Sequence, residues 1–170
     1  MSKEKNKHEN YKDIQFKTIP AAFNSKEIQE DIIITTHSPS QSSKEQIISQ
    51  GIKFHLEGKI SEAAKFYQYY INQGFNDHRV FSNYGIILQS LGHLKKAELS
   101  TRKAIEIKPD YAIAHYNLGN ILKDIGNLKE AKLSLKKAIR INPNYTIAHY
   151  NLGIISRDLG SLKEAESSTR

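Results

Sequence analysis

From Lys44 onward the apolar and small residues of this chain recur on a 34-residue step. Laid out as units 44–77, 78–111, 112–145 and 146–170, every unit has Gly at its eighth position (Gly51, Gly85, Gly119, Gly153) and Ala at its twentieth (Ala63, Ala97, Ala131, Ala165). Ala104 and Ala138 hold position 27 in the middle units, while bulky residues (Leu122, Leu128 and Ile139 in the third unit) stand at positions 11, 17 and 28. Small residues where two helices must approach, flanked by large residues that fill the space beside them, are the pattern of a packed helical pair. A fixed period of this length means one supersecondary unit copied several times.

Each unit is expected to open with a helix A of about fourteen residues that ends at a glycine, in turn Gly58, Gly92, Gly126 and Gly160. There the backbone turns left-handed, which glycine does without steric cost. Helix B comes next, its start capped by Asn127 with Glu130 in the third unit and by Ser161 with Glu164 in the fourth. Pro109 and Pro143 end helix B in the middle units, and Asp110 and Asn144 are placed to cap the next helix A. Residues 1–43 lack this ruler. The first twelve are rich in Lys, Glu and Asn and are expected to be disordered. Apolar positions between Ile14 and Ile32 suggest a short helix around Ser25–Ile33, Ser38–Ser43 reads as a linker, and Ser42 with Glu45 forms a helix-start box.

The third unit, with Leu118-Gly119, Leu122, Ala131, Leu135, Ala138 and Pro143, resembles the tetratricopeptide repeat (TPR). The resemblance covers 44–170, about three quarters of the chain. It implies an all-α, right-handed α-solenoid of helix-turn-helix repeats, which by composition follows a largely disordered N-terminal leader. It also implies that helix A lines a concave face on which partner peptides lie. The first unit departs from the pattern at Gln50, Tyr70 and Phe75, where Leu, Ala and Pro are usual. The fourth stops at its twenty-fifth position, with no polar capping helix after it. A truncated or severed chain and a short array with a frayed end are the two readings of that stop. NLGNILKDIGNLKEA and KAIRINPNY are also similar to the TPR arms of O-linked N-acetylglucosamine transferase. They are equally similar to arms on bacterial, notably marine cyanobacterial, sulfotransferases, methyltransferases and glycosyltransferases. A targeting arm of such an enzyme is therefore an alternative to a free-standing scaffold.

Composition narrows the chemistry. The chain has no Cys, which excludes disulfides, thiolate metal sites and a Cys nucleophile. Hydrophobic residues make up only 38%, which suits a solenoid whose units pack on their neighbours. The net charge of +7 belongs wholly to residues 44–170, because residues 1–43 carry six basic and six acidic groups. No secretory signal or membrane-length apolar run is present, so a cytoplasmic protein is expected. No paired carboxylates, nucleophile–base set or phosphate loop stands at motif spacing, so no catalysis, cofactor or small-molecule substrate is expected.

The expected function is binding of a protein or peptide partner. Asn83, Asn117 and Asn151 share position 6 on helix A. Each amide offers two donor hydrogens and an acceptor oxygen, so a ladder of them could bond the backbone of an extended peptide. The resembling transferase arm uses such a ladder, and the alternative is that these amides support helix–helix contacts. Asn120, Tyr116, Tyr150, Arg79, Asp124, Arg157 and Asp158 are the other candidate peptide-binding residues. Capture of a C-terminal carboxylate is not expected, since the paired basic residues of TPR domains with that mode are replaced by Ser82, Tyr116, Ile113 and Ile147. His115 and His149 repeat at the period. Equivalent residues on adjacent helices stand about 8–10 Å apart, too far to share a metal with bonds of about 2.0–2.1 Å, so both are read as packing residues. A basic stripe on helix B runs from Lys95 and Lys96 through Arg102, Lys103, Lys129, Lys132, Lys136 and Lys137 to Arg140. It could attract nucleic acid or anionic lipid, but no stacking aromatics interleave with it, and a solvated face is the simpler reading. Self-association is expected through the incomplete fourth unit, where Leu152, Ile155, Leu159 and Leu162 lack a covering helix.

Overall fold

The computed structural model describes residues 41–168, for Ser42 and 161–168 in backbone only. Residues 1–40 of the leader, with the short helix expected around Ser25–Ile33, lie outside these residues. Among the described residues seven helices succeed one another: α1 (Gln41–Leu56), α2 (Ile60–Asn72), α3 (His78–Ser90), α4 (Leu94–Ile107), α5 (Ala112–Ile125), α6 (Leu128–Ile141) and α7 (Thr146–Ser168). No strand occurs among the described residues. The helices form an all-α solenoid in two layers: α1, α3, α5 and α7 are the A helices, and α2, α4 and α6 the B helices. α1 begins at Gln41, so the last residues of the expected linker are already helical.

Three of the four glycine turns form. At Gly126 (φ 88°) the backbone turns left-handed, Gly126 N–H donates to Lys123 O at 2.9 Å and Asn127 N–H to Leu122 O at 2.8 Å. This closes the last carbonyls of α5. Asn127 Oδ1 then accepts from Glu130 N–H, the expected helix-start cap, while the Glu130 carboxylate accepts from Asn127 Nδ2 at 2.9 Å rather than from the backbone N–H that a full capping box would use. Gly58 and Gly92 make the same pair of backbone bonds. Gly74 adds a fourth left-handed glycine (φ 75°) between α2 and α3, where the first unit has no proline.

The fourth turn does not form. α7 runs unbroken through Gly160 to Ser168, so the expected hairpin at Gly160 and helix start at Ser161 with Glu164 are replaced by one 23-residue helix. Glycine permits either conformation, and burial decides between them. After Gly126 a folded-back helix buries Ala131, Leu135 and Ala138 completely. In the ten residues after Gly160 only Leu162 and Ala165 are apolar, against Leu128, Ala131, Leu133 and Leu135 in the ten after Gly126.

The expected caps of α5 and α7 also differ. The residue before α5 is Tyr111, with no side-chain cap, rather than Asp110. Asn144 contributes its backbone carbonyl, which accepts from Thr146 N–H and Oγ1–H, and not its side chain. α3 by contrast is capped by Asp77, whose carboxylate accepts from Arg79 N–H at 2.8 Å.

The core lies between the two layers. A Cβ built on Gly119 would sit 2.8 Å from Leu135 Cγ and 3.3 Å from Ala131 O. One on Gly51 would sit 2.7 Å from the Tyr67 ring, and one on Gly85 would strike Thr101 Oγ1. Each B helix is therefore seated on the glycine of its own A helix. The first pair uses an aromatic core, with Tyr67 fully buried and Tyr70 nearly so, where later pairs use Ala, Thr and Leu. Among the described residues nothing lies within 4 Å of a Cβ built on Gly153. Ala148 and Ile155 are fully buried and dock the other side of α7 onto the stack.

Candidate functional site

Successive A helices touch along a stripe of polar side chains, and most of the expected site residues lie on it. Its N-terminal end is closed by charge. The Arg79 guanidinium donates to Glu45 Oε1 and Oε2, both at 2.8 Å, and to Asp77 at 3.0 Å and 2.9 Å. The Arg79 hydrogen bond, opposed by desolvation and helped by its charge, holds the Glu45 carboxyl below its ordinary value. Burial pushes Asp77 upward, but its bonds to the Arg79 side chain and backbone leave it lowered overall. The same two partners raise Arg79 further above its already high value. Four of the five Arg79 side-chain N–H groups are thus engaged by its own chain.

The asparagine ladder comes next. Asn83 Nδ2 donates to the Tyr67 hydroxyl of α2 at 3.3 Å. Burial raises that phenol's pKa to about 12, with the Asn83 bond acting the other way. Asn117 is 5% exposed and donates to Ser82 Oγ of α3 at 3.0 Å, joining two A helices. Asn151 Nδ2 donates to Asn120 Oδ1 at 2.8 Å and to the Tyr116 hydroxyl at 3.4 Å. All three amide nitrogens therefore brace the stack. No donor among the described residues meets the Oδ1 atoms of Asn83, Asn117 or Asn151. Further along, Gln89 Nε2 donates to Asp124 at 2.6 Å, and Arg157 lies 3.6 Å from Asp158 on α7.

The C-terminal half of the stripe also exposes apolar side chains. Tyr150 is 68% exposed, Ile147 48% and Ile113 43%. The Tyr116 ring leans on Tyr145 with centroids 5.1 Å apart. Ile113 and Ile147 hold the repeat position that carries Arg79 and Glu45 in earlier units. In the sequence they stand out only as missing bases, although an isoleucine off the packing register signals an exposed apolar contact.

The repeated histidines have a structural role. His115 Nε2 and His149 Nε2 each lie 2.9 Å from the carbonyl of the preceding proline, Pro109 and Pro143. Each ties the first turn of helix A to the loop before it. The basic stripe lies on the B helices α4 and α6. Arg102 bridges Glu98 at 3.0 Å and Glu130 on the next B helix. An open groove of about 540 Å³ lies there, lined by Arg102, Ile105, His115, Leu118, Leu133 and Lys137 among others.

The tetratricopeptide repeat family model matches residues 112–145, and a second TPR repeat model matches residues 85–126. Residues 85–145 carry tetratricopeptide repeats. No curated protein matches it. Among solved structures it is similar to the first TPR domain of Spaghetti (RPAP3) bound to an HSP90 peptide, with 23% identity over 74% of this chain and 99% of that one, at a TM-score of 0.67. The Yersinia enterocolitica chaperone SycD in complex with a peptide of the translocator YopD matches at 22% identity, over 70% and 96% of the two chains, at 0.63. The Thermobaculum terrenum O-GlcNAc transferase matches at 21% identity and 0.65, over 69% of this chain but only 23% of the enzyme. At these identities the shared property is the TPR fold. No described helix is long and apolar enough to cross a membrane.

Proposed function

We propose that this TPR array is a non-catalytic scaffold that holds an extended peptide segment of a partner protein along its A helices. The observation that carries the reading is the pairing, on one stripe, of unmet amide oxygens with exposed apolar side chains. Asn83 and Asn151 are only partly buried, and their Oδ1 atoms are placed to accept peptide backbone N–H groups. Ile113, Ile147 and Tyr150 offer apolar contact to side chains of the same peptide. Asn117, nearly buried, acts mainly as a brace. Asn120, Tyr116, Asp124, Arg157 and Asp158 shape the walls. Peptides bound by two of the structural neighbours are consistent with this use of the fold.

The mode differs from carboxylate capture, because Arg79 is neutralised by Glu45 and Asp77. A random peptide display library selected on the chain tests the reading. Selected peptides should bind equally well with a free or amidated C-terminus, and Ile147→Ala with Tyr150→Ala should abolish their recovery. Recovery undiminished in that double variant would refute it. The same scaffold could serve as the targeting arm of a transferase, a reading supported by the likeness to the Thermobaculum enzyme's TPR region in fold only.

A second reading concerns the outer face. Leu99 and Leu133 are 69% and 66% exposed, each at the same position of a B helix and each flanked by lysines three or four residues away. Lys129, Lys132, Lys136, Lys137 and Arg140 of α6 have no ion pair among the described residues. Apolar tips within a basic field, on helices without aromatics, fit an anionic lipid surface better than nucleic acid. Flotation with phosphatidylserine vesicles at rising salt tests it, and the absence of any salt-sensitive binding would dismiss it.

A further inference from the structure

The groove between α4 and α6 owes its depth to two repeat positions. In the second unit these carry the rings of Phe81 and Tyr84, and the Tyr84 hydroxyl of α3 donates to Gln68 Oε1 of α2 at 2.6 Å. One repeat later the same positions hold His115 and Leu118, and Arg102 stands where Gln68 stood. Leu118 is too short to make that crossing, and about 540 Å³ stays open between α4, α5 and α6. The volume lies in the range of ligand sites, about 300–1,000 Å³. Its walls run from Arg102 to Lys137, inside the array rather than at either end.

Most polar side chains around the groove are already engaged. Arg102 bridges Glu98 and Glu130, Lys103 donates to Glu106 at 2.7 Å, and His115 Nε2 lies 2.9 Å from Pro109 O. Two lining side chains have no partner among the described residues. Ser134 is 7% exposed and its hydroxyl makes no hydrogen bond, although Ser100, one repeat earlier, donates to Phe81 O at 2.7 Å. Lys137 makes no ion pair. The two stand three residues apart, and so on one face of α6. Ile105, Leu118 and Leu133 supply the apolar lining.

We propose that this groove seats a single anionic lipid, its acyl chain along Ile105, Leu118 and Leu133 and its phosphate at Ser134 and Lys137. The inference deepens the outer-face reading above and rests on it for its charge. A peptide laid in the groove would bury backbone N–H and C=O groups that need partners, and the engaged rim offers few. An acyl chain needs none. The head group follows from charge: Lys129, Lys132, Lys136 and Arg140 surround Lys137 on α6 with an uncompensated positive field, which attracts an anion and repels a cation. Depth separates this seat from adhesion to a flat surface. The exposed tips of Leu99 and Leu133 can enter a bilayer by themselves, whereas Leu118, 4% exposed at the floor, is reached only by a chain that leaves it.

Calorimetric titration of the full chain with dodecyl phosphate, kept below its micelle concentration, tests the proposal, with helicity recorded for each variant. One molecule should bind per chain, and neither inorganic phosphate nor dodecyltrimethylammonium should match it. His115→Phe with Leu118→Tyr restores the rings of the second unit and should weaken binding by more than about 10-fold, the loss expected when about two methylenes stay in water. Lys137→Met should weaken it by about 3- to 5-fold, and keeps the test decisive if the double variant loses helicity. The double variant retains Leu99, Leu133 and the lysines, so its salt-sensitive flotation with phosphatidylserine vesicles should survive. Dodecyl phosphate bound by a wild-type chain that does not float would dismiss the flat-surface reading and uphold the groove. Binding unchanged in Lys137→Met and in the helical double variant would overturn the groove alone. Equal binding of inorganic phosphate or of dodecyltrimethylammonium would overturn it too, by removing the role of the tail or of the head. Displacement of dodecyl phosphate by a Glu-Tyr copolymer at lower concentration would give the groove to an acidic protein segment and overturn the lipid assignment.

Discussion

Arg79 of α3 reaches Glu45, one full repeat earlier on α1, through two hydrogen bonds of 2.8 Å, and joins the first two A helices at their N-terminal ends. The same guanidinium is gripped from its own helix start by Asp77, which also caps the backbone. Asp77 therefore holds two functions and Glu45 one. The Glu45 side chain is about half exposed, and an ion pair open to solvent contributes at most about 1 kcal/mol. Loss of an N-cap costs about 1 kcal/mol by itself.

Asp77→Ala should accordingly destabilise the fold by about 1–2 kcal/mol and Glu45→Ala by less than about 1 kcal/mol. Urea denaturation of both variants checks the order, and a larger loss from Glu45→Ala would contradict the assignment of Asp77 as cap.

The two glycines that end the A-helix pattern of α5 and α7 should respond with opposite signs. Gly126 is left-handed, where an Ala costs about 1–2 kcal/mol. Gly160 is inside a helix, where Ala is favoured over Gly by about 0.5–1 kcal/mol. Gly126→Ala should lower, and Gly160→Ala raise, the thermal midpoint at a fixed protein concentration. A loss of stability from Gly160→Ala would show that the fourth turn closes as the others do.

Mild acid should weaken the fold through its histidines. His115 is 8% exposed, and burial holds its pKa below the ordinary value, with Lys137 and Arg140 adding to the depression and the Pro109 carbonyl opposing it. Burial lowers His55 and His78 as well. The unfolded chain therefore takes up protons first as pH falls through about 6.5, so this stability is complete above that pH and declines below it. Glu45 and Asp77, lowered in the fold, stay ionised until well below that window. The urea midpoint should be lower at about pH 5.5 than at about pH 7.5, and His115→Gln should narrow the difference. Equal midpoints for the wild-type chain would contradict this account.

The first three hairpins are legible in the chain because each is set by local chemistry: a glycine where the backbone turns left-handed, Asn127 with Glu130 at a helix start, Pro109 and Pro143 after helix ends. Gly160 misleads because a glycine allows a turn without enforcing one, and the segment after it has little to bury. The Asp77 cap carries no such signal, because no Glu or Gln stands three residues after it. The ladder is legible as a repeat but not as a set of environments. Asn117 enters the A–A interface because small Ser82 stands opposite, whereas Asn151 meets the larger Tyr116 and stays partly exposed. Exposure of position 6 is decided by its neighbour one repeat away, which periodicity alone does not reveal.

The most direct test of the central claim is a backbone and side-chain amide NMR map of the chain titrated with a display-selected peptide. The account predicts that shifts concentrate on the Asn83 and Asn151 side-chain amides and on the backbone around Ile113, Tyr116, Ile147 and Tyr150, with α4 and α6 unmoved. Shifts confined to α4 and α6, around Leu99 and Leu133, would place recognition on the outer face and contradict it.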